Sequence, residues 1–331
     1  MKKILVIRFS SIGDIVLTTP VIRCLKRQLG DVEVHVLTKA AYQSIYGSNP
    51  YIDKVFVLDD SLKETIKALR AEHYDFVVDL HRNWRSLRVK TALHRPGATF
   101  PKLDLKKLLY TRFKTGRLPN VHIVDRYFKA VSKLGVVNDG QGLDFFIADG
   151  DEMHYEDLPE DFRDGFAAVV IGGQHATKIL PMGQVEEVCR ALDYPVILIG
   201  GPDDFVTGER IVQHVGMHVG NSCGSLTIGQ SASLLKLADV VLTNDTGMMH
   251  IAAALRKPIV SVWGNTVPEF GMTPYMPTCP ERSCIIEKKG LKCRPCHKLG
   301  YKRCPKGHFA CMQGLDPVLI ADKMKKMKGD K

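Results

Sequence analysis

The sequence lacks any long apolar run, and this absence excludes one class of protein. No apolar stretch in its 331 residues approaches the ~20 residues needed to span a bilayer. The run at 4–9 superficially resembles a signal peptide, but Arg8 and Asp14 interrupt it, and no small-residue cleavage site follows cleanly. We therefore expect a cytoplasmic protein, and two domains of roughly 150 residues each are the natural expectation for this length.

Signatures for dinucleotides and nucleic acids are also missing. No G-x-G-x-x-G motif follows the first predicted strand, so a dinucleotide is not the expected ligand. The net charge is +10, yet Asp104 is the only acid in a long basic run. The basic residues of this run are Arg82, Arg85, Arg88, Lys90, Arg95, Lys102, Lys106, Lys107, Arg112, Lys114 and Arg117. Stacking aromatic residues do not interleave them, so we expect an acidic substrate or an anionic membrane as the partner, and no nucleic acid.

Apolar runs that alternate with helical periodicity indicate an α/β protein with parallel, doubly wound sheets. In the N-terminal half, the sequence predicts strands at 3–9, 32–37, 54–58 and 75–80 and helices at 15–29, 61–72 and 121–134. In the C-terminal half, it predicts strands at 168–171, 195–199, 240–242 and 259–263 and helices at 228–237, 248–255 and 317–327. Pro20 lies inside the first predicted helix and should kink or weaken it.

The acidic segment at 151–165 has little apolar periodicity, and we interpret it as an interdomain linker. It separates an N-terminal domain at 1–150 from a C-terminal domain at 166–315. A last helix at 316–331 could cross back to the first domain.

The most informative stretch is a strand–turn–helix–strand unit at 238–263. The polar turn at 244–247 follows a buried strand, and open α/β sheets bind ligands at such carboxyl ends. The free N–H groups and positive dipole end of the next helix suit a diphosphate, and His250 lies one turn into that helix. The alternative is an ordinary connection with a well-made helix cap.

Other polar turns also follow predicted strands. Gly13 and Asp14 follow the first strand, and Asp14 either faces a cleft or only satisfies the dipole of a helix N-terminus. Lys178 and the backbone N–H groups before it could meet phosphates, although the segment is not a P-loop. Asp204 could bond ribose hydroxyls or cap a helix.

Two features of the basic run have alternative interpretations. Arg82 and Arg85 could converge on one phosphate or carboxylate if the segment is helical, or they lie in a solvated basic loop. The apolar residues of 105–113 form one helix face among basic side chains. Such a helix suits a membrane surface. A core-facing helix with a solvated basic side is the commoner case.

Six of the nine cysteines lie at 279–311. Four of them, Cys293, Cys296, Cys304 and Cys311, could supply ligands to a structural zinc ion. Their spacing is irregular and no second clean C-x-x-C motif is present, so we favour reduced, unligated cysteines. A cytosolic location argues against disulfides.

Three motifs resemble glycosyltransferase family 9, the lipopolysaccharide heptosyltransferases. The run NDTGMMHIAAAL at 244–255 is similar to the family's signature, and IRFSSIGDIVLTTPVIRCLK at 7–26 is similar to its N-terminal motif. The stretch DLHRNWRS at 79–86 continues the resemblance, which covers nearly the whole chain.

The resemblance implies two Rossmann-like doubly wound domains facing each other across a cleft, the GT-B arrangement. It implies Asp14 as the general base, Lys178 as a phosphate-binding residue and Leu226 in the base pocket. The residues expected to bind the nucleotide sugar are Gly13, Gly173, Gln174, Lys178, Gly201, Asp204, Leu226, Asp245, Thr246, Gly247 and His250. Arg82 and Arg85 are expected to bind the acceptor.

The implied reaction is a metal-independent, inverting sugar transfer from a nucleotide-diphosphate donor, most naturally heptose from ADP-heptose. The implied acceptor is an anionic glycolipid of the lipopolysaccharide core, met at the inner membrane, and no cofactor is expected. Another nucleotide sugar is the alternative donor. A non-catalytic protein that binds nucleotide sugars or the lipid core is the alternative from another class.

Overall fold

The computed structural model describes residues 1–58, 60–114 and 118–329. The chain divides into two compact units. Unit 1 comprises Met1–Leu103 and Val121–Ala148, and unit 2 comprises Asp104–Asn120 and Asp149–Lys331. Among the described residues, no helix combines the length and the apolar character that crossing a bilayer requires.

Strands and helices alternate along the described chain. The strands are β1 Lys2–Ile7, β2 Val32–Thr38, β3 Lys54–Val57, β4 Phe76–Asp79, β5 Gly97–Thr99, β6 Ala167–Val170, β7 Val196–Ile199, β8 Val219–Asn221, β9 Val240–Asn244, β10 Ile259–Trp263 and β11 Ser283–Glu287. The helices are α1 Ile12–Val16, α2 Thr19–Gln28, α3 Gln43–Gly47, α4 Leu62–Arg70, α5 Trp84–Ala92, α6 Asp104–Phe113, α7 Ile123–Phe128, α8 Met182–Leu192, α9 Phe205–Val215, α10 Ile228–Leu237, α11 Gly247–Ala254, α12 Ala310–Gln313 and α13 Pro317–Gly329.

Unit 1 contains a five-stranded parallel sheet in the order β3-β2-β1-β4-β5. Because β1 is central and covered on both faces, Leu5, Val6 and Ile7 are fully buried. The chain runs outward from β1 in one direction and returns to β4 on the other side, so the strand order reverses between β1 and β4. Ligands bind at such switch points, beside the carboxyl ends of the strands.

The single helix predicted at 15–29 is wrong, because two helices cover this segment. Helix α1 ends at Val16, and α2 begins at Thr19. The Thr18 hydroxyl donates to the Ile15 carbonyl at 2.7 Å across the break. Pro20 occupies the first turn of α2, where no backbone N–H is needed, so it begins a helix rather than kinking one.

Unit 2 contains a six-stranded parallel sheet in the order β11-β10-β9-β6-β7-β8. Counted from the first strand of this unit, the order is the 3-2-1-4-5-6 of doubly wound nucleotide-binding sheets. The switch point therefore lies between β6 and β9. The doubly wound α/β class predicted from the sequence is confirmed for both units.

The C-terminal helix α13 packs on α8 and on strands β9 and β10. Its residues Ile320, Ala321 and Met324 are buried in the core of unit 2. Through Gly329 the helix is therefore part of the core of unit 2.

The acidic segment at 151–165, interpreted from the sequence as the interdomain linker, packs on unit 2. The backbone N–H of Met153 donates to the Ser233 hydroxyl at 2.8 Å, and the Lys236 ammonium is 2.8 Å from the Glu152 carboxylate. Both partners belong to α10. Helix α6 was expected in the N-terminal domain at 1–150, but the segment Asp104–Asn120 that contains it belongs to unit 2. Within the basic run, Arg117 lies outside the described residues.

Candidate active site

Asp14 lies beside the switch point of unit 1, in the first turn of α1. Its Oδ2 atom is 2.7 Å from Nη2 of Arg8 and accepts a hydrogen bond from the Ser11 hydroxyl at 3.0 Å. A helix of only five residues has little dipole to satisfy, so the pair with Arg8 is the stronger interaction. The Asp14 side chain is 25% exposed, so the carboxylate is held in place and still reachable from solvent.

Arg8 fixes Asp14, although the sequence identified it only as an interruption of an apolar run. Its Nε donates to the Ser10 carbonyl at 2.7 Å, and its Nη1 donates to the Leu80 carbonyl at 2.7 Å and to the Tyr127 hydroxyl at 3.2 Å. Burial works to lower its pKa, but Asp14 and Tyr127 outweigh burial and the pKa is raised. A charge directly after a buried strand was the available signal, because buried charges need partners.

The loop after β4 is fixed by the buried carboxylate of Asp79. This carboxylate accepts from the backbone N–H groups of His81 and Arg82 at 3.0 Å and 2.8 Å, and from the Ser86 hydroxyl at 2.9 Å. The Asn83 side chain and Ser86 then cap α5 reciprocally. The loop therefore presents its side chains from a rigid backbone at the same sheet edge as Asp14.

This loop creates an electropositive site around His81. Burial, Arg8 and Lys102 lower the pKa of His81 to about 3, with a further contribution from Arg85, so its imidazole is neutral at pH 7. Within the described residues, the buried Nδ1 of His81 and Nε of Arg85 have no hydrogen-bond partner. Because this Arg85 nitrogen is buried, an anionic group from solvent reaches the half-buried Arg85 through its other guanidinium nitrogens.

Arg82 does not join Arg85 in the way predicted for a helical segment. It precedes α5 and has a φ of +53°, in the left-handed region. Its Nη1 donates to the Phe100 carbonyl at 3.3 Å. Because Arg82 lies outside the helix, the i, i+3 argument for a shared anion site does not apply to it.

Lys178 is a fixed cation at the switch point of unit 2. Its Nζ is 2.7 Å from Oδ2 of Asp245 and donates to the Asp245 carbonyl at 3.2 Å. The Asp245 carboxylate also accepts from the Thr266 hydroxyl at 2.8 Å and is buried. Two of the three ammonium N–H donors thus point at Asp245, which leaves the third for a ligand oxygen. This geometry favours a positioning role for Asp245.

Thr246 and Gly173 bring the start of α11 against the loop after β6. Thr246 is the extended residue before α11, and its hydroxyl makes no capping bond and is buried without a partner among the described residues. A Cβ atom added to Gly173 would lie 3.2 Å from Cγ2 of Thr246 and 3.2 Å from Cγ1 of Ile179. The two segments therefore approach closely at a position where a larger side chain would push them apart.

Polar side chains that the sequence did not single out hold these loops together. Asn244 donates from Nδ2 to the Val170 carbonyl at 3.1 Å, and its Oδ1 accepts from the Leu180 N–H at 2.9 Å. The Thr177 hydroxyl donates to Oδ1 of Asn265 at 3.1 Å. These contacts join segments more than sixty residues apart, so no local pattern could have revealed them.

Gly201, Asp204 and Leu226 lie at the ends of the next two strands. Oδ2 of Asp204 accepts from the Gly201 N–H at 2.8 Å and so closes the short turn Pro202–Asp204. The side chain does not cap the following helix α9, which was the capping use considered from the sequence. A Cβ atom added to Gly172 would lie 2.2 Å from the same oxygen, so the carboxylate lies directly against the loop after β6. Leu226 is half-buried immediately before Thr227, the capping residue of α10.

Three other predicted residues have different settings. His250 is buried inside α11, and Gln174 is exposed in the loop after β6. Gly13 is in unit 1, where it precedes Asp14 in α1, whereas the other residues predicted to bind the nucleotide sugar are in unit 2.

The four cysteines considered as zinc ligands do not form a coordination site. Within residues 1–58, 60–114 and 118–329, no three His, Cys, Asp or Glu side chains are arranged to hold a metal ion. Burial raises the pKa of the Cys296 thiol to about 11, and Cys293, Cys311 and Cys304 contribute to the same effect. All nine cysteines, each in the described part of the chain, are free thiols.

Comparison with known proteins gives a consistent family assignment. The family model for glycosyltransferase family 9 (heptosyltransferase) matches residues 62–301. Lipopolysaccharide heptosyltransferase 1 from Campylobacter coli is 25% identical over 288 residues, which cover 80% of this chain and 84% of the relative.

Solved structures extend the similarity to the whole chain. A family 9 glycosyltransferase from Veillonella parvula has a TM-score of 0.80 at 22% identity, covering 100% of this chain and 98% of that chain. The ADP-heptose lipopolysaccharide heptosyltransferase II of E. coli has a TM-score of 0.76 at 20% identity, covering 99% and 98%. These structures confirm the GT-B class predicted from the sequence. With the family model matching well over half of its residues, the chain is a glycosyltransferase that belongs to family 9, the heptosyltransferase family.

Proposed function

We propose that this chain transfers heptose from ADP-heptose to a core acceptor of lipopolysaccharide, with inversion at the anomeric carbon. The observation that carries the proposal is the fixed Lys178 ammonium beside the start of α11, where the Thr246 hydroxyl is buried without a partner in the described chain. A cation, a hydroxyl and free helix N–H groups together suit a diphosphate. Similarity to proteins named as heptosyltransferases, one of them for ADP-heptose, supports this donor over other nucleotide sugars.

The donor half of the reaction is assigned to unit 2. As the acceptor oxygen bonds to the anomeric carbon from the opposite face, the bond from that carbon to the diphosphate oxygen breaks. Lys178, Thr246 and the N–H groups from Gly247 onward are donors preorganised for the charge that develops on the departing ADP, and such donors are usually the largest catalytic contribution. Asp245 positions Lys178, and Asp204 and Leu226 lie on the nucleoside side. The proposal requires no metal ion.

The acceptor half of the reaction is assigned to unit 1. Asp14 takes the proton of the attacking hydroxyl as the new bond forms, a step worth about 10²–10⁴ in rate. Arg8 and Ser11 hold the carboxylate in position for this transfer. Arg85 binds an anionic group of the acceptor, and Arg82 contributes charge at the edge of the same loop.

The acceptor chemistry also sets where the enzyme works. A core acceptor is an anionic glycolipid, so the enzyme meets it as a cytoplasmic protein at the surface of the inner membrane. The net charge of +10 supports such a partner.

A thermal-shift panel of nucleotides and nucleotide sugars tests the donor. Ligand binding stabilises the folded state by about 2.7 kcal/mol at a hundredfold excess over Kd. We expect a clear upward shift in Tm with ADP and ADP-heptose. A shift only with UDP or GDP sugars would show that the donor is one of these sugars instead of ADP-heptose. No shift with any of them would favour a non-catalytic lipid-core binding protein.

A further inference from the structure

Helix α6 is turned so that its polar side faces the protein. Near its start, the Asp104 carboxylate is 3.0 Å from the Lys298 ammonium. One turn later, the Lys107 ammonium lies 5.0 Å from the centre of the Phe270 ring. Just beyond its end, the Lys114 ammonium donates to the carbonyl of Pro295. All of these partners belong to unit 2, so the helix is attached along its charged edge.

The opposite side of α6 is apolar and exposed. Leu105, Leu108, Leu109 and Phe113 are 69%, 52%, 42% and 57% exposed, and we call these four residues the α6 outer face. No residue of α6 is buried. The core-facing orientation, which the sequence favoured as the commoner case, is therefore wrong. A contiguous apolar face that a folded protein leaves in water usually marks an interaction surface.

The charges around the α6 outer face indicate the kind of partner. Lys106 and Arg112 are exposed on the same helix, and the single acid of the helix, Asp104, is already paired with Lys298. Leucine and phenylalanine flanked by lysine and arginine are the composition of helices that lie in the interface of an anionic bilayer.

A second copy of the chain fits this surface less well. A stable protein interface buries about 800 Å² on each partner, which is more than four side chains of one ten-residue helix provide. In a two-fold dimer the same patch meets itself, so Lys106 and Arg112 would be brought toward the like charges of the other copy. An anionic lipid surface has no such repulsion.

We propose that the α6 outer face inserts into the headgroup region of an anionic lipid bilayer and holds the enzyme at the membrane. The inference rests on the proposed function in one respect, since a glycolipid acceptor gives the enzyme a reason to be there. Lys106 and Arg112 attract the acidic headgroups, and the leucines and Phe113 supply the apolar burial.

Vesicle flotation with the full-length protein tests the proposal without donor or acceptor. The probes are vesicles of phosphatidylglycerol with phosphatidylethanolamine and vesicles of phosphatidylcholine alone. We expect the wild type to float with the anionic vesicles and to bind phosphatidylcholine roughly tenfold or more weakly. Leu108→Ser/Leu109→Ser and Lys106→Glu/Arg112→Glu should each lower binding to the anionic vesicles by roughly tenfold or more.

Val318→Ser/Leu319→Ser is the matched control, because these residues of α13 are 57% and 45% exposed and lie between the acids Asp316 and Asp322. It should bind vesicles like the wild type. Equal loss in the control, undiminished binding in the α6 variants, or no binding by the wild type would overturn the proposal. A wild-type dimer in solution that Leu108→Ser/Leu109→Ser converts to a monomer would overturn it in favour of a second copy.

The assay also separates this inference from the proposed function. If the wild type transfers heptose from ADP-heptose to a water-soluble acceptor fragment but does not bind vesicles, only the proposal that the α6 outer face binds a bilayer is wrong. If the wild type binds anionic vesicles and the α6 variants lose this binding, but no heptose transfer occurs, the membrane-binding proposal holds and the proposed reaction is wrong.

Discussion

At the scale of single residues, a cation–aspartate pair lies at the switch point of each sheet, and the two pairs differ in which partner is more exposed. In unit 1, Asp14 is 25% exposed and Arg8 is 8% exposed. In unit 2, Lys178 is 18% exposed and Asp245 is 10% exposed. The more exposed member is the one proposed to meet substrate, and the more buried member orients it. An aspartate is thus assigned to the chemistry in one unit and to positioning in the other.

Replacing Lys178 should affect the diphosphate more than the nucleoside. Hydrogen bonds to charged groups contribute about 1.5–3 kcal/mol. We therefore expect Lys178→Ala to raise the Kd for ADP by roughly 10- to 100-fold and to leave adenosine binding unchanged in calorimetric titrations. The Lys178→Ala variant leaves the Asp245 carboxylate without its cation, and this carboxylate would then repel the diphosphate. The double variant Lys178→Ala/Asp245→Asn removes that repulsion, so it measures the lost attraction of Lys178 alone. Equal weakening for ADP and adenosine would contradict the role.

The lowered pKa of His81 gives a prediction about stability and pH. Its folded pKa is about 3, while an unfolded histidine titrates near 6.5, so the unfolded chain binds more protons between these values. Stability conferred by the neutral ring is therefore present above about pH 6.5 and decreases as the pH falls toward 3. His81→Phe, which keeps a ring beside Phe9, should show a shallower fall in Tm between pH 7 and pH 4. Identical slopes would show that His81 does not titrate in this way.

At the scale of elements, the candidate donor site depends on how the loop after β6 meets α11. Helix α11 and strand β10 lie within a residue of where their apolar patterns predict them, because caps and apolar runs are local signals. The orientation of α6 could not be predicted in this way. Periodicity identifies an apolar face but does not say whether that face meets the protein, and only the contacts of Asp104, Lys107 and Lys114 decide it.

Filling the close approach at Gly173 should disturb the donor site. Gly173→Val would press on Thr246 and Ile179, each already 3.2 Å from an added Cβ. Because small displacements of positioning groups are costly, we expect ADP binding to weaken by about tenfold or more while circular dichroism shows a folded protein.

Gly183→Ala provides the matched control, since nothing lies within 4 Å of a Cβ added in that turn of α8. The control should bind ADP normally and be at least as stable as the wild type, because alanine forms helices better than glycine does. Normal ADP binding by Gly173→Val would show that the close approach is not needed for the site.

At the scale of the whole molecule, the two doubly wound sheets are proposed to provide the two halves of one reaction. Their strand orders place switch points beside Asp14 in unit 1 and beside Lys178 and Thr246 in unit 2. The sequence predicted the central strands and these turns, because apolar runs, breakers and caps are encoded locally. It did not predict the edge strands β5, β8 and β11. It did not predict the contacts of Arg8 with Tyr127 or of Asp245 with Thr266, because these join distant segments.

Metal removal should leave the reaction intact. Lys178, Thr246 and the start of α11 are proposed to carry the charge of the leaving diphosphate, which a divalent cation would otherwise do. We expect the rate of ADP release in excess EDTA to equal the rate in untreated enzyme. A loss of rate that Mg²⁺ or Mn²⁺ restores would contradict this assignment.

The most direct test of the central claim compares Asp14→Asn with the wild type. ADP release that depends on a core glycolipid acceptor and the mass of the heptosylated product would be measured together with the Kd for ADP-heptose. We expect the variant to remain folded, to bind ADP-heptose as the wild type does, and to lose about 10²–10⁴ in turnover because the hydroxyl proton has no acceptor. Undiminished turnover, or donor binding lost together with turnover, would contradict the assignment of Asp14 as the base.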